Sequence, residues 1–200
     1  PPLHWAFSDR TGEMMIVESD AEGLHIYRHT LGVMTNSPGY PWHRTNLLNY
    51  AGIRQEDRGE MRFGEELLHP SFSGSGAQGL PGDWSSPSRF VRLAFLRQCC
   101  VPGPDEKTGI CRLFRLLQSA AFPLGMVRVP ETAAADYDTG VVPYDYTLYS
   151  CAMCAESLRF YWTTYEDQRP RYVALRELME AAGPLQFPLE EGPEFRHIAP

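Results

Sequence analysis

Residues 3–28, "LHWAFSDRTGEMMIVESDAEGLHIYR", decide the architecture. Leu3, Trp5 and Phe7 recur every second position, so they share one face of a strand. Arg10-Thr11-Gly12 reads as a turn. Residues 13–18 (EMMIVE) and 23–28 (GLHIYR) read as two further strands, joined by the polar Asp20-Ala21-Glu22. Period-two stretches this close together predict an antiparallel meander. Residues 32–35 (GVMT) predict one more short strand, running into "NSPGYPW", a loop with two prolines and a glycine.

Beyond the meander the period changes. Residues 43–50 (HRTNLLNY) predict a short helix ending near Gly52. Residues 53–79 are mixed and polar and finish in "SFSGSGAQG", which reads as a long surface loop. In "QGLPGDWSSPSRFVRLAFLRQ" (residues 78–98), Ser86 is placed to cap a helix, with Pro87 at the first helical position. Phe90, Val91, Leu93, Ala94, Phe95 and Leu96 leave that helix little polar face, so it is expected to be largely buried. A second helix is expected from about Lys107 to Ala121, with Ile110, Leu113, Phe114 and Leu117 as its apolar stripe and Thr108 as its cap. Residues 145–153 and 158–165, rich in Thr, Tyr, Phe and Trp, predict a hairpin. The tail after Gly183 carries four prolines and little pattern. Strands, then adjacent helices, then strands again define an α+β fold, with helices packed on antiparallel sheet in a single domain over residues 1–200. The order of elements does not look doubly wound, and no P-loop is present.

Composition narrows the function further. The chain is 43% apolar and 12% aromatic, as suits a globular domain. Its net charge of −7 argues against nucleic acid as a partner. No apolar run approaches the roughly eighteen residues of a membrane span. Five cysteines without a spaced framework fit a reducing compartment. The chain opens on Pro1-Pro2 without an initiator Met, so the lack of a signal peptide carries no information.

Two residues stand out as chemistry. Arg89 falls in the first turn of the predicted helix, where a cation opposes the helix dipole at about 0.3–1 kcal/mol. Either Asp83 pairs with it to fix the loop, or the guanidinium is aimed into a site to hold an anion or depress a thiol's pKa. Asn36 ends a strand before Ser37-Pro38. It reads either as an Asx-turn or as a rigid amide donor for an oxyanion or a substrate carbonyl. Cys151 and Cys154 have metal-like spacing but no second pair, and residues three apart on a strand face opposite ways, so all the cysteines read as structural thiols. His4 and His43 read as packing or surface residues, and no metal or cofactor is expected.

Taken together, "LHWAFSDRTGEMMIVE", "GVMTNSPGYPWHRTNLLNYAG", "GLPGDWSSPSRFVRLAFLR" and "DYTLYSCAMCAESLRFYWTTYED" resemble, in order, the choloylglycine hydrolase family of conjugated bile salt hydrolases and penicillin V acylases. The resemblance implies an N-terminal nucleophile hydrolase fold, an α-β-β-α sandwich of antiparallel sheets. It implies hydrolysis of a linear carbon–nitrogen amide, in a glycine- or taurine-conjugated bile salt or in penicillin V. The implied nucleophile is a cysteine at the mature N-terminus with its own α-amino group as base. Asn36 matches the family asparagine that orders the nucleophile and oxyanion region, and Arg89 the active-site arginine of Ser-Arg-Phe, whose charge favours the thiolate. The nucleophilic cysteine belongs to the first part of the family's chain, so these residues correspond to a partial domain. The chain alone is then expected to be inactive; a non-catalytic binding protein on the same half-fold is the alternative. The family also implies a bacterial cytoplasmic enzyme, commonly a homo-tetramer, with residues 53–79 available for assembly.

Overall fold

Strands β1 (His4–Ser8), β2 (Met14–Asp20) and β3 (Gly23–Tyr27) form the expected antiparallel meander, in the order β1-β2-β3. The computed structural model describes residues 3–130, 144–181, 183–189 and 192–198. The first turn closes where it was read: Asp9 Oδ1 accepts from Thr11 N at 2.8 Å, and Gly12 takes a φ of 83° that favours glycine. Pairing of Ala6 with Ile16 and of Ile16 with Tyr27 puts these residues on one face, while Trp5, Val17 and Ile26 lie on the other. The chain divides into two compact units, Pro1–Cys100 and Val101–Pro200, each described by itself.

In the first unit, helices α1 (Tyr40–Asn46) and α2 (Ser86–Cys99) supply the rest of the core. Ile16, Val33, Tyr40 and Phe90 form its centre, flanked by Tyr27, Met34, Leu47, Leu93 and Ala94. Helix α1 begins three residues before the expected His43 because Glu18 of β2 accepts the Tyr40 N–H at 3.0 Å, satisfying one of its unpaired donors. Residues 32–35 are not the expected strand. Val33 and Thr35 are buried and alternate like strand residues. Their segment finds no sheet edge, however, and Thr35 Oγ1 bonds instead to His43 of α1 and Ser86 of α2. Residues 53–79 are more ordered than a plain loop. They hold a hairpin of β4 (Met61–Phe63) and β5 (Glu66–Leu68), and Asp57 Oδ1 accepts from Ser75 N at 2.7 Å. Gly76 lies so close to this segment that a Cβ there would sit 2.0 Å from the Glu56 carbonyl oxygen.

In the second unit, α3 (Glu106–Gln118) follows its apolar stripe, but Asp105 caps it rather than Thr108: the carboxylate accepts from Thr108 N at 2.8 Å. A short pair, β6 (Val127–Arg128) with β7 (Tyr144–Asp145), takes Asp145 away from the predicted hairpin. That hairpin is β8 (Tyr149–Cys154) and β9 (Arg159–Thr164). Strand β10 (Arg171–Ala174), absent from the sequence reading, pairs with the other edge of β9 and runs into the one-turn α4 (Leu175–Leu178). Ile110 and Phe114 of α3 pack on Ala152 and Tyr161 of the sheet. Glu106 ties the layers together, accepting from Ser157 Oγ and Tyr161 Oη, each at 2.6 Å.

Phe90 is fully buried at the junction of the meander with both helices of its unit. Phe90→Ala is expected to destabilise the protein by about 3–5 kcal/mol, read as a drop in the urea midpoint. Asp105→Ala, which removes only a cap, is expected to cost about 1 kcal/mol.

Candidate active site

Asn36 sits at the end of the buried 33–35 segment, and two helices hold its backbone. Its carbonyl oxygen accepts from His43 Nε2 of α1 at 2.9 Å and from Ser86 Oγ of α2 at 2.5 Å. Thr35 Oγ1 completes the knot by donating to the Ser86 carbonyl at 3.2 Å. Ser86 is therefore not the side-chain cap that the sequence predicts. Ser85 takes the N-cap position without a side-chain bond, and the Ser86 hydroxyl turns back to Asn36.

Arg89 meets Asn36 directly. Its Nη2 donates to Asn36 Oδ1 at 2.7 Å and its Nε donates to the Trp84 carbonyl at 2.9 Å. A guanidinium only donates, so this contact assigns the Asn36 amide: Oδ1 faces Arg89, and the Nδ2 hydrogens are directed elsewhere. Charge-assisted bonds of this kind offset the unfavourable placement of a cation in a first helical turn.

The loop before α2 is set by its own polar groups. Asp83, the alternative partner for Arg89, accepts from Ser85 N at 2.9 Å and from Ser88 Oγ at 2.6 Å. These bonds, led by Ser85 and Ser88, hold its carboxyl down at about 2. Arg92, 7% exposed, reaches back along the helix and donates Nη1 to the carbonyls of Pro81 at 2.6 Å and Asp83 at 3.1 Å. Desolvation lowers its pKa. A cleft lined by Leu3, His4, Glu18, Ser19, Asp20 and the Ser37–Gly39 turn adjoins Asn36 along the chain.

The structure thus brings together the two residues singled out from the sequence. His43, read there as a packing or surface residue, is buried at 1% exposure, and it also bonds Asn36. Thr35, Ser86 and Arg92 were not read as part of any site. The seven-residue step from Asn36 to His43, across a Pro-Gly turn into a helix, is the one signal that points to this contact. None of the five cysteines is in a disulfide; burial pushes the Cys151 thiol up, and Cys154 Sγ donates to Glu156 at 3.3 Å. Among the described residues no cluster of His, Cys, Asp and Glu can hold a metal ion. No described helix is long and apolar enough to cross a membrane.

The class that the sequence matches is the linear amide C–N hydrolases: the profile of their choloylglycine hydrolase family covers residues 1–183. The chain belongs to the choloylglycine hydrolase family. A bile salt hydrolase/transferase of Clostridium perfringens is 35% identical over 167 residues, 84% of this chain and 48% of the relative. One from Lactiplantibacillus plantarum is 31% identical over 97% of this chain and 57% of its own. The crystal structure of a conjugated bile acid hydrolase from Clostridium perfringens superposes with a TM-score of 0.84 at 30% identity, over 98% of this chain and 57% of that one. Penicillin V acylase from Agrobacterium tumefaciens, at 16% identity and a TM-score of 0.63, over 87% of this chain and 45% of that one, shares the fold. The chain spans about half the length of the curated relatives it matches.

The Asp83 carboxyl gives a pH prediction. Its folded pKa of about 2 lies below the ordinary 3.8, so its contribution to stability is complete above 3.8 and is lost as pH falls toward 2. Thermal melts across that window should show the loss, and Asp83→Asn should flatten that part of the slope.

Proposed function

We propose that this chain carries the asparagine–arginine side of an amide hydrolase site whose nucleophile is a cysteine thiolate outside these 200 residues. The observation that carries the reading is the 2.7 Å bond from Arg89 Nη2 to Asn36 Oδ1. It leaves the Asn36 Nδ2 hydrogens to donate to a substrate carbonyl, and it holds a cation where a thiolate would be favoured. The thiolate attacks the amide carbon and the negative charge moves to the carbonyl oxygen, opposite Asn36. Collapse expels the amine, which takes a proton from the cysteine's α-ammonium group. Water then cleaves the thioester and releases the acid. In this reading none of the five cysteines on the chain takes that role, and burial shifts the Cys151 thiol away from the thiolate.

The favoured substrates are glycine- or taurine-conjugated bile salts, with penicillin V second. The curated relatives named above act on bile salts, and the acylase is the more distant neighbour. Both units belong, in this reading, to one partial α-β-β-α domain, because the family profile runs across them. Leu3, Trp5, Phe7, Leu24 and Ile26 form an apolar sheet face, 42–64% exposed, of the kind a second sheet covers; this disfavours a stand-alone binding protein. The complete enzyme is read as a cytoplasmic homo-oligomer, a tetramer by family resemblance. The β4–β5 hairpin, with Phe63 74% exposed, is the candidate assembly surface.

The test is turnover. The 200-residue chain alone should release no glycine from glycocholate, no taurine from taurocholate and no 6-aminopenicillanic acid from penicillin V. Joined to the segment encoded upstream, beginning Met-Cys, it should hydrolyse at least one of them. In that protein Asn36→Ala should lower kcat by about 10²–10³-fold. Turnover by the chain alone, or an Asn36→Ala enzyme of normal kcat, would overturn the reading.

A further inference from the structure

We propose that His43 is a positioning residue for the Asn36–Arg89 pair: its Nε2–H, kept in one tautomer, anchors the Asn36 carbonyl and thereby fixes where the Asn36 amide points. The catalytic consequence rests on the function proposed above; the geometry does not.

The imidazole ring is stacked on Phe90 with centroids 4.6 Å apart and planes at 9°, and Trp42 meets it edge-on at 5.5 Å. Its Nε2 lies 2.9 Å from Asn36 O, 3.3 Å from Thr35 Oγ1 and 3.4 Å from Ser86 Oγ. A carbonyl oxygen only accepts, so Nε2 bears the hydrogen and, in the neutral ring, Nδ1 is a bare lone pair. Nδ1 is buried and has no hydrogen-bond partner among the described residues. This is an unfavourable way to fill a space beside Phe90, because a buried acceptor without a donor loses its hydration. A phenylalanine at position 43 would keep the stack and remove that penalty. What it would lose is the Nε2–H, which therefore accounts for the imidazole.

Anchoring transmits to the amide. With His43 donating from α1 and Ser86 from α2, both lone pairs of the Asn36 carbonyl are engaged, and its peptide plane is fixed relative to both helices. Phe90, the stacking partner, follows Arg89 in α2, so one ring sets the Asn36 backbone and abuts the turn that carries the guanidinium.

Three readouts test this. In long-range ¹⁵N–¹H spectra of the 200-residue chain, His43 should carry its proton on Nε2, with Nδ1 bare; an Nδ1–H tautomer overturns the proposal. The His43→Phe chain should show displaced Asn36 side-chain amide resonances; resonances at wild-type positions overturn it. In the complete hydrolase of the preceding section, His43→Phe should lower kcat by roughly ten- to a hundredfold with KM nearly unchanged. His43→Gln, whose amide donates in the same place, should restore most of that loss. A normal kcat in His43→Phe, or no rescue by His43→Gln, overturns it. If His43→Phe does not fold, the tautomer and His43→Gln decide, the latter expected to keep wild-type kcat. If the complete wild-type protein hydrolyses no amide, the proposed function fails by itself, and the two spectroscopic readouts still decide the positioning role.

Discussion

The carbonyl oxygen of Asn36 accepts from a histidine on one helix and a serine on another, and much of the first unit is organised around that point. Segment 33–36 is irregular, α1 is seven residues long, and the start of α2 lacks a side-chain cap. None of these would hold its position on local propensity alone, since short helices are marginal in water. They hold because buried polar groups must be paired, and here each pairs with the next. The stack of His43 on the fully buried Phe90 makes this knot continuous with the apolar core. Core and site are thus one object, and a change in packing at Phe90 reaches the Asn36 amide through a single ring.

Electrostatics at the start of α2 follow from the same geometry. The first turn holds no acid and carries Arg89, with Arg92 one turn on. The preceding loop compensates by presenting backbone carbonyls: Trp84 to Arg89, and Pro81 and Asp83 to Arg92. Its one carboxylate accepts from Ser85 and Ser88 and so shapes the loop. These carbonyl dipoles point their negative ends at the two guanidinium groups.

The sequence made the meander, the two long helices and the β8–β9 hairpin legible, because each shows its period over enough residues to be unambiguous. It misled at 32–35, where Val33 and Thr35 alternate into a core without any neighbouring strand. It missed β10, whose four residues, Arg171–Ala174, are too few to show a period. It placed two caps wrongly because Asp105 and Ser85 compete with adjacent hydroxyl residues, and only geometry decides such contests. Asn36 and Arg89 were legible as a pair only through family resemblance; nothing local says that residues 53 positions apart touch. His43 read only as packing or surface, since a single histidine at a helix start shows neither its burial nor its hydrogen bond.

The meander itself argues about what surrounds it. Ile16 and Tyr27 turn one face to α1 and α2, while Trp5, Phe7, Leu24 and Ile26 turn the other outward. An antiparallel sheet with a solvated side ordinarily alternates apolar with polar residues. Here the alternation is between two apolar sets, at least at the central pairs Ala6–Ile16–Tyr27 and Trp5–Val17–Ile26. Both faces of the meander are therefore apolar at its centre, the composition of a sheet suited to packing on both sides. The Asn36–Arg89 site lies on the helix-covered unit, just beyond strand β3 and next to the Ser37–Gly39 turn.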